Sequence, residues 1–426
     1  MSISSYTLSG RTQDGPCAEE GASSLLLDVG VPFRVQNGEV YVESQAHHGI
    51  RQWLENFRSL TLCAPVVPEQ YVDSTMQWVP AADLLAEKRF STAPLPWGYD
   101  VRSHIAQVAH VRRVFRELIP KHSHLCFSNL GWLGAWGRIG CEEAHRLQRP
   151  YAIWLDWVLH EMPARVEQSA LKRSWRSLQT AMLKHKSVRD IRRASLGLFN
   201  GRTVFEAYAA LCKVPRVAHD IHLGVNDVIS TVQLERRLAR ESGPLKIIYV
   251  GRVHEMKGPW HWLDAMEAIT SKLRAGRGVQ ATWLGDGPLL SQAQEAVRSR
   301  NLLGRVSFAG PQIDRQRLLA MLRNADLFVF CHLTPESPRC LIEALMSGLP
   351  IVGFESAYAS GLLGEHAPGG LFVRRGDTEG LADAVVDALS SPERLRSMSR
   401  AAHAAGMGFS DVAVFKHRSD LIKEFA

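Results

Sequence analysis

The sequence predicts an α/β protein with two similar domains, each built around a parallel sheet. In the second half of the chain, short apolar runs alternate with segments of helical hydrophobic periodicity, which is the pattern of βαβ units. Parallel strands covered on both faces read as continuous apolar runs, as these do. The 426 residues, of which 46% are hydrophobic, are also enough for two domains with their own cores.

Strands of the C-terminal half are predicted first, because their pattern is the clearest. Gly258-Pro259 precedes one helical segment and Ser337-Pro338 precedes another. These pairs predict helix starts, the second with Ser337 as N-cap and Pro338 as first helical residue. The five predicted strands are KIIYVG (246–251), QATWLG (280–285), VSFAG (306–310), LFVFCH (327–332) and PIVGF (350–354).

The N-terminal half has a weaker pattern of the same kind. We predict helices near 48–58, 102–118, 132–148 and 164–186 between its strands. The predicted strands are SSLLLDVG (23–30), LTLCAPVV (60–67), HLCFS (124–128), YAIWLD (151–156) and SLGLFNG (195–201).

A domain boundary is expected just before the first clear strand of the second half. The segment VQLERRLARESGPL (232–245) is charged and ends in Ser-Gly-Pro, so it is the predicted linker. We therefore assign residues 1–234 to an N-terminal domain and 235–408 to a C-terminal domain. A last helix at about 409–426 can pack back on the N-terminal domain.

Composition limits the class of protein. The seven cysteines are scattered without a Cys-x-x-Cys pair, so neither a disulfide framework nor a zinc knuckle is indicated. The N-terminal segment is polar, and no run approaches the roughly 18 apolar residues of a membrane span. We expect a cytoplasmic protein, with peripheral contact at the inner membrane face as an open alternative.

Two turns of the predicted C-terminal domain place cations where open α/β sheets bind ligands, at the carboxyl ends of strands. Arg252 and Lys257 flank one strand-to-helix turn. At the other, the free amides of Arg339 and Cys340 after Ser337, with the Arg339 guanidinium, suit a phosphate group. Cations in this position would neutralise a departing diphosphate, so the pattern indicates an anionic leaving group.

Two glutamates in the same region suit a different ligand group. Glu336 precedes the predicted helix and Glu343 falls on its second turn. A carboxylate would repel a phosphate, so these side chains are expected to accept hydrogen bonds from neutral hydroxyls, which sugars and riboses supply in pairs. The alternative for this stretch is a capped surface helix with ordinary ion pairs.

These residues resemble a known family, the retaining, nucleotide-sugar-dependent glycosyltransferases of the GT-B fold, in the large group called glycosyl transferases group 1. The N-terminal half resembles the family only in its general layout. The resemblance implies two Rossmann-like domains that face each other across a deep cleft. It depends on motifs in the family's order: VGRVHEMKG (250–258), TWLGDGPL (282–289), VSFAG (306–310), LRNADLFVF (322–330) and EALMSGLPIV (343–352).

The resemblance implies roles for the charged residues. Arg252 and Lys257 would hold the diphosphate, Glu343 would bind the ribose hydroxyls, and Glu336 would contact the transferred sugar. The family usually has seven residues between the two glutamates, whereas six separate them here. The ribose contact is therefore better supported than the sugar contact.

The resemblance also implies contacts from small residues. Gly285 and Gly287 would let the chain pass close to the nucleotide, and the backbone near Gly310 and Pro311 would border the base. The family tends to carry a histidine near the sugar's 6-hydroxyl, where this chain offers Asp156 or His160, and neither is assigned that role. The remaining nucleotide-sugar binding positions are Gly251, Ser337, Arg339 and Cys340.

The implied reaction is metal-independent transfer of a hexosyl group to an acceptor hydroxyl, with no cofactor and no covalent enzyme nucleophile. The acceptor would approach the same face that the diphosphate leaves. Two alternatives stay open. A nucleotide-sugar epimerase of the same fold would need an acid and a base at the sugar, and a non-catalytic GT-B binding protein would be marked by loss of the cations at 252 and 257.

The net charge of +7 points to one basic segment. Residues 164–194 carry nine Lys or Arg against two acidic residues, an excess that equals the whole net charge. The segment is predicted to be an amphipathic helix packed on its own domain, and contact with an anionic membrane is the alternative, since many such transferases use lipid-linked acceptors. No nucleic-acid reader motif accompanies it, so nucleic acid is not expected as a partner. The partners that the family resemblance implies are a nucleotide-sugar donor and a glycan, lipid-linked or small-molecule acceptor.

Two further residue groups are given structural interpretations. His47-His48-Gly49 is predicted to be a surface loop, because adjacent histidines rarely share a metal ion. Five tryptophans are predicted to pack in half-buried positions and not to stack on sugar rings: Trp132, Trp136, Trp154, Trp157 and Trp175.

Overall fold

The computed structural model describes most of the chain. The described residues are 23–71, 76–128, 130–131, 133–158, 170–221, 223–240, 243–273, 278–334 and 336–426, with the side chains of 170–180 left out. Among them, no helix has the length and apolarity that a membrane span requires.

Sixteen strands are found among the described residues. They are β1 Ser24–Asp28, β2 Arg34–Gln36, β3 Glu39–Glu43, β4 Ser59–Pro65, β5 Trp78–Pro80, β6 Phe90–Leu95, β7 His124–Phe127, β8 Ala152–Leu155, β9 Leu196–Asn200, β10 Pro215–Ala218, β11 Leu245–Val250, β12 Val279–Leu284, β13 Val306–Phe308, β14 Leu327–Phe330, β15 Ile351–Phe354 and β16 Gly370–Val373.

Fifteen α-helices alternate with these strands in the described part of the chain. They are α1 Ser44–Asn56, α2 Ala82–Ala86, α3 Val101–Leu118, α4 Gly137–Arg146, α5 Ala170–Arg193, α6 Gly201–Tyr208, α7 Thr231–Leu238, α8 Pro259–Lys272, α9 Leu290–Ser299, α10 Arg315–Arg323, α11 Arg339–Met346, α12 Ala357–Leu363, α13 Thr378–Ala388, α14 Pro392–Gly406 and α15 Asp411–Phe425.

Two open parallel sheets dominate the fold. The first has the strand order β10-β9-β8-β7-β1-β4-β6, and the second has the order β13-β12-β11-β14-β15-β16. In both, the order reverses beside a central strand, as in doubly wound folds. The predicted parallel strands of both halves are confirmed, and so is the α/β class.

The strands that the sequence pattern missed lie mostly at sheet edges. β6, β10 and β16 are outermost strands, and a small antiparallel sheet, β2-β3-β5, was also missed. An edge strand buries less of its surface than a central one, so its sequence carries fewer consecutive apolar residues. FSTAPL of β6 and PRVA of β10 show this, since each contains proline and polar residues.

Residues 232–238 of the segment predicted as a linker lie in an ordered helix, α7. Ser230 and Gln233 form a capping box at its start, and Leu234 is buried. Arg237 is also buried, and its guanidinium donates to the carbonyl oxygens of Ser347 and Gly348 at 3.0 and 2.5 Å. One charged residue of this segment, Arg237, therefore takes part in packing, which composition alone did not show.

The chain divides into two compact units. The first contains the residues up to Ile153, Arg192–Leu196 and Ser419–Ala426, and the second contains Trp154–Ile191 and Gly197–Arg418. The predicted boundary at 234 stays a prediction. Within the first unit, the end of the chain contacts N-terminal residues.

The contacts of that chain end are specific. The ring nitrogen Nδ1 of His124 lies 2.7 Å from the carbonyl oxygen of Ala426. The Lys423 ammonium lies 5.0 Å from the centroid of the Phe57 ring, within the range of a cation–π interaction. The last residues of α15 thus pack against the turn between α1 and β4 and the start of β7.

An aromatic cluster forms the core beneath the second sheet's first strands. Trp283 packs on Tyr249, Trp262 and Phe308, with ring centroids 4.2 to 5.4 Å apart. The indole nitrogen of Trp283 donates to the Gly251 carbonyl at 2.8 Å. Burial of each such ring contributes about 2–3 kcal/mol, and the hydrogen bond fixes the turn that follows β11.

Candidate functional site

Lys257 and Glu336 form an ion pair at the carboxyl ends of β11 and β14. The Lys257 ammonium donates to Glu336 Oε2 at 2.5 Å, and the two side chains are only 11% and 20% exposed. The other oxygen, Glu336 Oε1, is buried and has no hydrogen-bond partner among the described residues. The structure thus brings these two predicted catalytic residues together, although they are 79 positions apart.

Gly258 sets the position of Lys257. It is the N-cap of α8 with φ of 65°, in the left-handed region that favours glycine. A Cβ atom here would lie 2.3 Å from the carbonyl oxygen of Cys331, so no side chain fits. The amide of Leu333 also donates to the Met256 carbonyl at 2.9 Å. These contacts hold the β11–α8 turn against the end of β14.

Arg252 differs from Lys257 in its surroundings. Its side chain is exposed, and within the described ranges no hydrogen bond or ion pair to the guanidinium is found. Arg252 comes directly after Gly251, whose carbonyl oxygen accepts the hydrogen bond from the Trp283 indole nitrogen. The turn after β11 therefore presents one cation in an ion pair and one that is open to an anion.

A buried polar pair lies near the Lys257–Glu336 ion pair. The Tyr249 hydroxyl lies 2.8 Å from His332 Nε2. Burial, with the charge of Lys257 as a smaller cause, lowers the pKa of His332 well below its ordinary value of 6.5. His332 is therefore neutral at pH 7 and hydrogen-bonds Tyr249 without adding charge to the site.

Glu343 has a partner that the sequence analysis missed. Its carboxylate is buried on α11 and accepts a hydrogen bond from Arg315 Nη2 at 3.0 Å. Arg315 is the first residue of α10, where a cation is unfavourable next to the positive end of the helix dipole. No local signal in the sequence indicated this pair, because the two residues are 28 positions apart on different helices.

The start of α11 differs from the prediction. The helix begins at Arg339 and its N-cap is Pro338, not Ser337. The Ser337 hydroxyl donates instead to the Asn200 carbonyl at 2.5 Å. No side chain caps the helix, because proline has no group that can accept from the amides. The first amides of α11, including that of Cys340, therefore lack a capping side chain.

Arg339 and Cys340 have different environments at this helix start. The Arg339 guanidinium lies 3.9 Å from an Asp220 carboxylate oxygen, and Arg339 is partly exposed. Burial raises the pKa of Cys340 to about 12, so its thiol stays protonated at neutral pH. Cys340 can therefore contribute its backbone amide to a ligand, but its side chain is not a nucleophile.

The glycines of the GDG turn are required by contacts within the protein. A Cβ atom on Gly285 would lie 2.0 Å from the Gly251 carbonyl oxygen, and one on Gly287 would lie 2.4 Å from that of Val253. The Gly285 amide donates to the Gly310 carbonyl at 2.8 Å. The structure thus brings Gly251, Gly285, Gly287 and Gly310 together, with the exposed Pro311 adjacent.

A second polar cluster surrounds Asp156, which follows β8. Asp156 keeps contact with solvent although protein groups crowd it, and this partial desolvation raises its pKa to about 7. Repulsion from Asp220 raises the pKa further, while Arg418, Arg339 and a hydrogen bond from Asn200 lower it. Asp156 is therefore a group that changes its charge near neutral pH. His160 lies outside the described residues.

The other predictions have mixed outcomes. His47 and His48 lie on α1, so the surface-loop prediction is wrong, and His47 Nε2 contacts Asp83 at 3.0 Å. Trp136 is fully buried, Trp154 is half-buried as predicted, and Trp157 is 47% exposed. Trp132, the side chain of Trp175 and residues 164–169 lie outside the described residues. The described part of the basic segment is helical, as predicted.

Comparison with known proteins finds a family model that is similar to part of the second half of the chain. Residues 232–405 match the family model described as "Glycosyl transferases group 1". The chain is 34% identical over 120 residues to a putative glycosyltransferase, EpsF, of Bacillus subtilis, covering 28% of this chain and 30% of that protein. It is 29% identical over 170 residues to 2-deoxystreptamine N-acetyl-D-glucosaminyltransferase of Streptomyces fradiae, covering 39% of each. The matches thus span well under half of these relatives.

Comparison of structures covers nearly the whole chain. The crystal structure of Anabaena HepE in complex with UDP superposes with a TM-score of 0.63 at 16% identity, covering 93% of this chain and 98% of that one. At this identity the likeness shows the fold, which is GT-B, with two Rossmann-like α/β modules. The N-terminal module, which the family model does not cover, shares this fold in the structural comparison.

Proposed function

We propose that the protein is a retaining glycosyltransferase that moves a hexosyl group from a nucleoside-diphosphate sugar to an acceptor hydroxyl. The observation that carries the proposal is the arrangement at the β11–α8 turn. There Lys257 and Glu336 pair at 2.5 Å, and Arg252 carries an exposed guanidinium on the same turn. The group 1 match over residues 232–405 and the fold likeness support it.

In the proposed reaction, the cations act on the leaving group. Arg252 and Lys257 would neutralise the charge that develops on the departing diphosphate, together with the uncapped amides at the start of α11. Because the Lys257 ammonium is paired with Glu336, a phosphate oxygen would have to share this ammonium with the Glu336 carboxylate or displace the carboxylate from it. The freed carboxylate could then accept a hydroxyl hydrogen bond from the transferred sugar.

Glu343 has a separate proposed role. Its carboxylate is held by Arg315 through one oxygen, Oε1, and its other oxygen would accept the hydrogen bonds of the ribose hydroxyls.

We further propose that the reaction needs no metal and no cofactor, because fixed cations already supply the neutralisation that a metal ion would. Full turnover in excess EDTA is the expected result, and loss of turnover that Mg²⁺ restores would contradict it.

The acceptor side of the proposal is broader. A glycan, a lipid-linked glycan or a small molecule would serve as acceptor, in the cytoplasm or at the inner membrane face, and the basic segment 164–194 would contact anionic lipid. No nucleic acid is proposed as a partner.

Retention is tested by the anomeric coupling constant of the product in NMR, where an inverted product would contradict it.

Replacement of Lys257 tests the proposed catalytic role. Lys257→Ala should lower kcat by about 100-fold or more, because removal of one preorganised donor costs about 3–4 kcal/mol in comparable sites. Lys272→Ala is the matched control, since Lys272 ends α8, the helix that begins just after Lys257, and pairs with Asp383 away from the site. Near-normal turnover of Lys257→Ala, with the fold intact, would refute the role.

Donor identity is tested by thermal shift. The protein is incubated with UDP, GDP, ADP and CMP and their sugars, and UDP comes first because HepE was crystallised with it. One nucleotide should raise the melting temperature, and the shift should shrink in Lys257→Ala. Absence of a shift with every nucleotide would contradict a nucleotide-sugar donor.

A further inference from the structure

An arginine on α10 contacts the glutamate on α11 to which we assign the ribose. Arg315 Nη2 donates to Glu343 Oε1 at 3.0 Å, and the two side chains are 39% and 11% exposed. The helix α10 follows β13, and α11 follows β14. The second sheet therefore places a cation from one strand-to-helix connection beside the carboxylate of another.

Local hydrogen bonds fix the place of Arg315 on its helix. Asp314 is the N-cap of α10, and its Oδ1 accepts from the Arg317 amide at 3.1 Å. The Asp314 amide donates to Gln312 Oε1, also at 3.1 Å. Arg315 is thus the first helical residue, and the dipole of its own helix does not stabilise a cation there. Within the described ranges, Glu343 is the hydrogen-bond and ion-pair partner of its guanidinium.

Two buried groups near Glu343 do not compete for this arginine. Burial raises the pKa of Cys340 to about 12 and that of Tyr358 well above its ordinary value of 10, and the charge of Glu343 is a smaller cause of both shifts. The thiol and the phenol are therefore neutral at pH 7. Arg315 is left with one anionic partner, Glu343.

This ion pair leaves one oxygen of the carboxylate for a ligand. Oε1 is occupied, and no hydrogen bond to Glu343 Oε2 is found in the part of the chain that the structure describes. The last torsion of a glutamate side chain is broad, so a carboxylate turns readily unless a partner holds it. A planar guanidinium is a strong, directional donor and limits this turning. Glu343 is thus an acceptor held in one orientation.

We infer that Arg315 is a positioning residue that makes the donor site select ribonucleotides over 2′-deoxyribonucleotides. This role rests on the proposed function, in which Glu343 Oε2 accepts from the ribose hydroxyls. A ribose offers two hydroxyl donors on adjacent carbons, and a 2′-deoxyribose offers one. An acceptor held in place is left poorly paired by the deoxy sugar, whereas a carboxylate that can turn pairs with water instead. Arg315 therefore acts through Glu343 and not on the reacting atoms.

Two other roles for Arg315 give a different result. An arginine that only ties α10 to α11 would change stability and would weaken every nucleotide alike. An arginine that binds the diphosphate itself would also weaken ribo and deoxyribo ligands alike, because both carry the same phosphates. Only positioning of Glu343 changes the ratio of the two affinities.

Calorimetric titration of the full chain measures this ratio. The probes are UDP and 2′-deoxy-UDP, or the same pair with another base where thermal shift identifies that base. The ribonucleotide should bind about 10- to 100-fold more tightly, which is the contribution of a hydrogen bond to a charged group. Arg315→Gln should lower this ratio by at least about threefold, as expected for coupling within one hydrogen-bond network. Arg315→Lys keeps the charge without the planar group and should retain part of the ratio.

Two further variants show whether Arg315 acts through Glu343. Arg317→Gln is the matched control, because Arg317 is exposed on the same helix and has no ion pair within the described ranges, so its ratio should equal that of the unchanged protein. Glu343→Gln should lose most of the ratio. Adding Arg315→Gln to Glu343→Gln should lower it no further, since the carboxylate that Arg315 holds is already absent.

Kinetics distinguish this role from that of Lys257. Arg315→Gln should raise KM for the nucleotide sugar with kcat within about twofold, because the ribose contact is the same in the ground state and the transition state. The Arg315 side chain is partly exposed, so its loss is expected to leave the fold intact. Circular dichroism checks this for each variant.

The possible failures are distinguishable. An unchanged ratio in Arg315→Gln, with the ribonucleotide still bound, would overturn the positioning role and leave the proposed function standing. A further loss in the double variant would mean that Arg315 acts without Glu343, which also overturns the role. If the unchanged protein binds no nucleoside diphosphate, the proposed function fails and the role of Arg315 fails with it.

Discussion

The Lys257–Glu336 ion pair combines short distance with low exposure. Removing one partner of a largely buried pair leaves an uncompensated charge, which is costly. Lys257→Met and Glu336→Gln should therefore each lower the free energy of unfolding by about 1–3 kcal/mol. The double variant should lose less than the sum of the two single losses, because no lone charge remains.

Urea unfolding of the four proteins measures this coupling. An additive double variant would show that the pair contributes nothing beyond its two separate side chains. In that case, the proposal that Glu336 holds Lys257 until the diphosphate arrives would lose its energetic basis.

His219 is expected to make the free energy of unfolding decrease at acid pH. Burial lowers its pKa to about 4, with His417 and Arg418 as smaller causes, and its ring packs on Phe409 at 5.0 Å. The unfolded chain binds the proton near pH 6.5 and the folded chain only near 4. Stability should therefore be complete above pH 6.5 and fall as the pH drops from 6.5 toward 4, by about 2 kcal/mol at pH 5.

His219→Phe keeps the ring and removes the titration. Urea midpoints at pH 7.5 and 5 should differ less in this variant than in the unchanged protein, and His110→Phe, at an exposed site, is the control. An equal pH dependence in His219→Phe would show that other groups cause the acid loss.

At the scale of elements, α7 supports the helix that carries Glu343. Arg237 on α7 donates to the Ser347 and Gly348 carbonyls just after α11, groups that the helix itself cannot satisfy. Burial lowers the pKa of Arg237 to about 10, so it stays charged at neutral pH. Arg237→Met should lower the free energy of unfolding by about 2–4 kcal/mol, as two charged hydrogen bonds are lost.

The neighbouring Arg236 is exposed and provides the control, because Arg236→Met should stay within about 0.5 kcal/mol of the unchanged protein. Chemical denaturation measures both variants. Equal stability of the two would mean that α7 is not a support for α11.

Sequence pattern predicted central elements better than edges and helix ends. The central strands β1, β11 and β14 are continuous apolar runs and were found. β10 and the antiparallel sheet were missed because edge strands carry little apolar signal. The start of α11 was misplaced because Ser337 has a better acceptor in Asn200, which is 137 positions away. Local propensity could not reveal that contact.

At the scale of the whole molecule, all residues proposed to contact the nucleotide-sugar donor, from position 252 to position 343, lie in the second compact unit. A ligand that binds only the folded state stabilises it by about 2.7 kcal/mol at a hundred times its Kd. In calorimetry, the nucleotide identified by thermal shift should raise the transition that unfolds this unit. A shift confined to the other unit's transition would contradict the assignment.

The sequence by itself determined the α/β class, the central strands of both sheets and the positions of the cations and carboxylates at strand ends. These follow from hydrophobic periodicity and from charged residues beside turns, which are local properties of the chain. Tertiary structure alone decided which of these groups meet: Lys257 with Glu336, Glu343 with Arg315, and Ser337 with Asn200. The physical reason is that an ion pair or hydrogen bond depends on distance in space, and the crossovers of a parallel sheet bring together residues far apart in the chain.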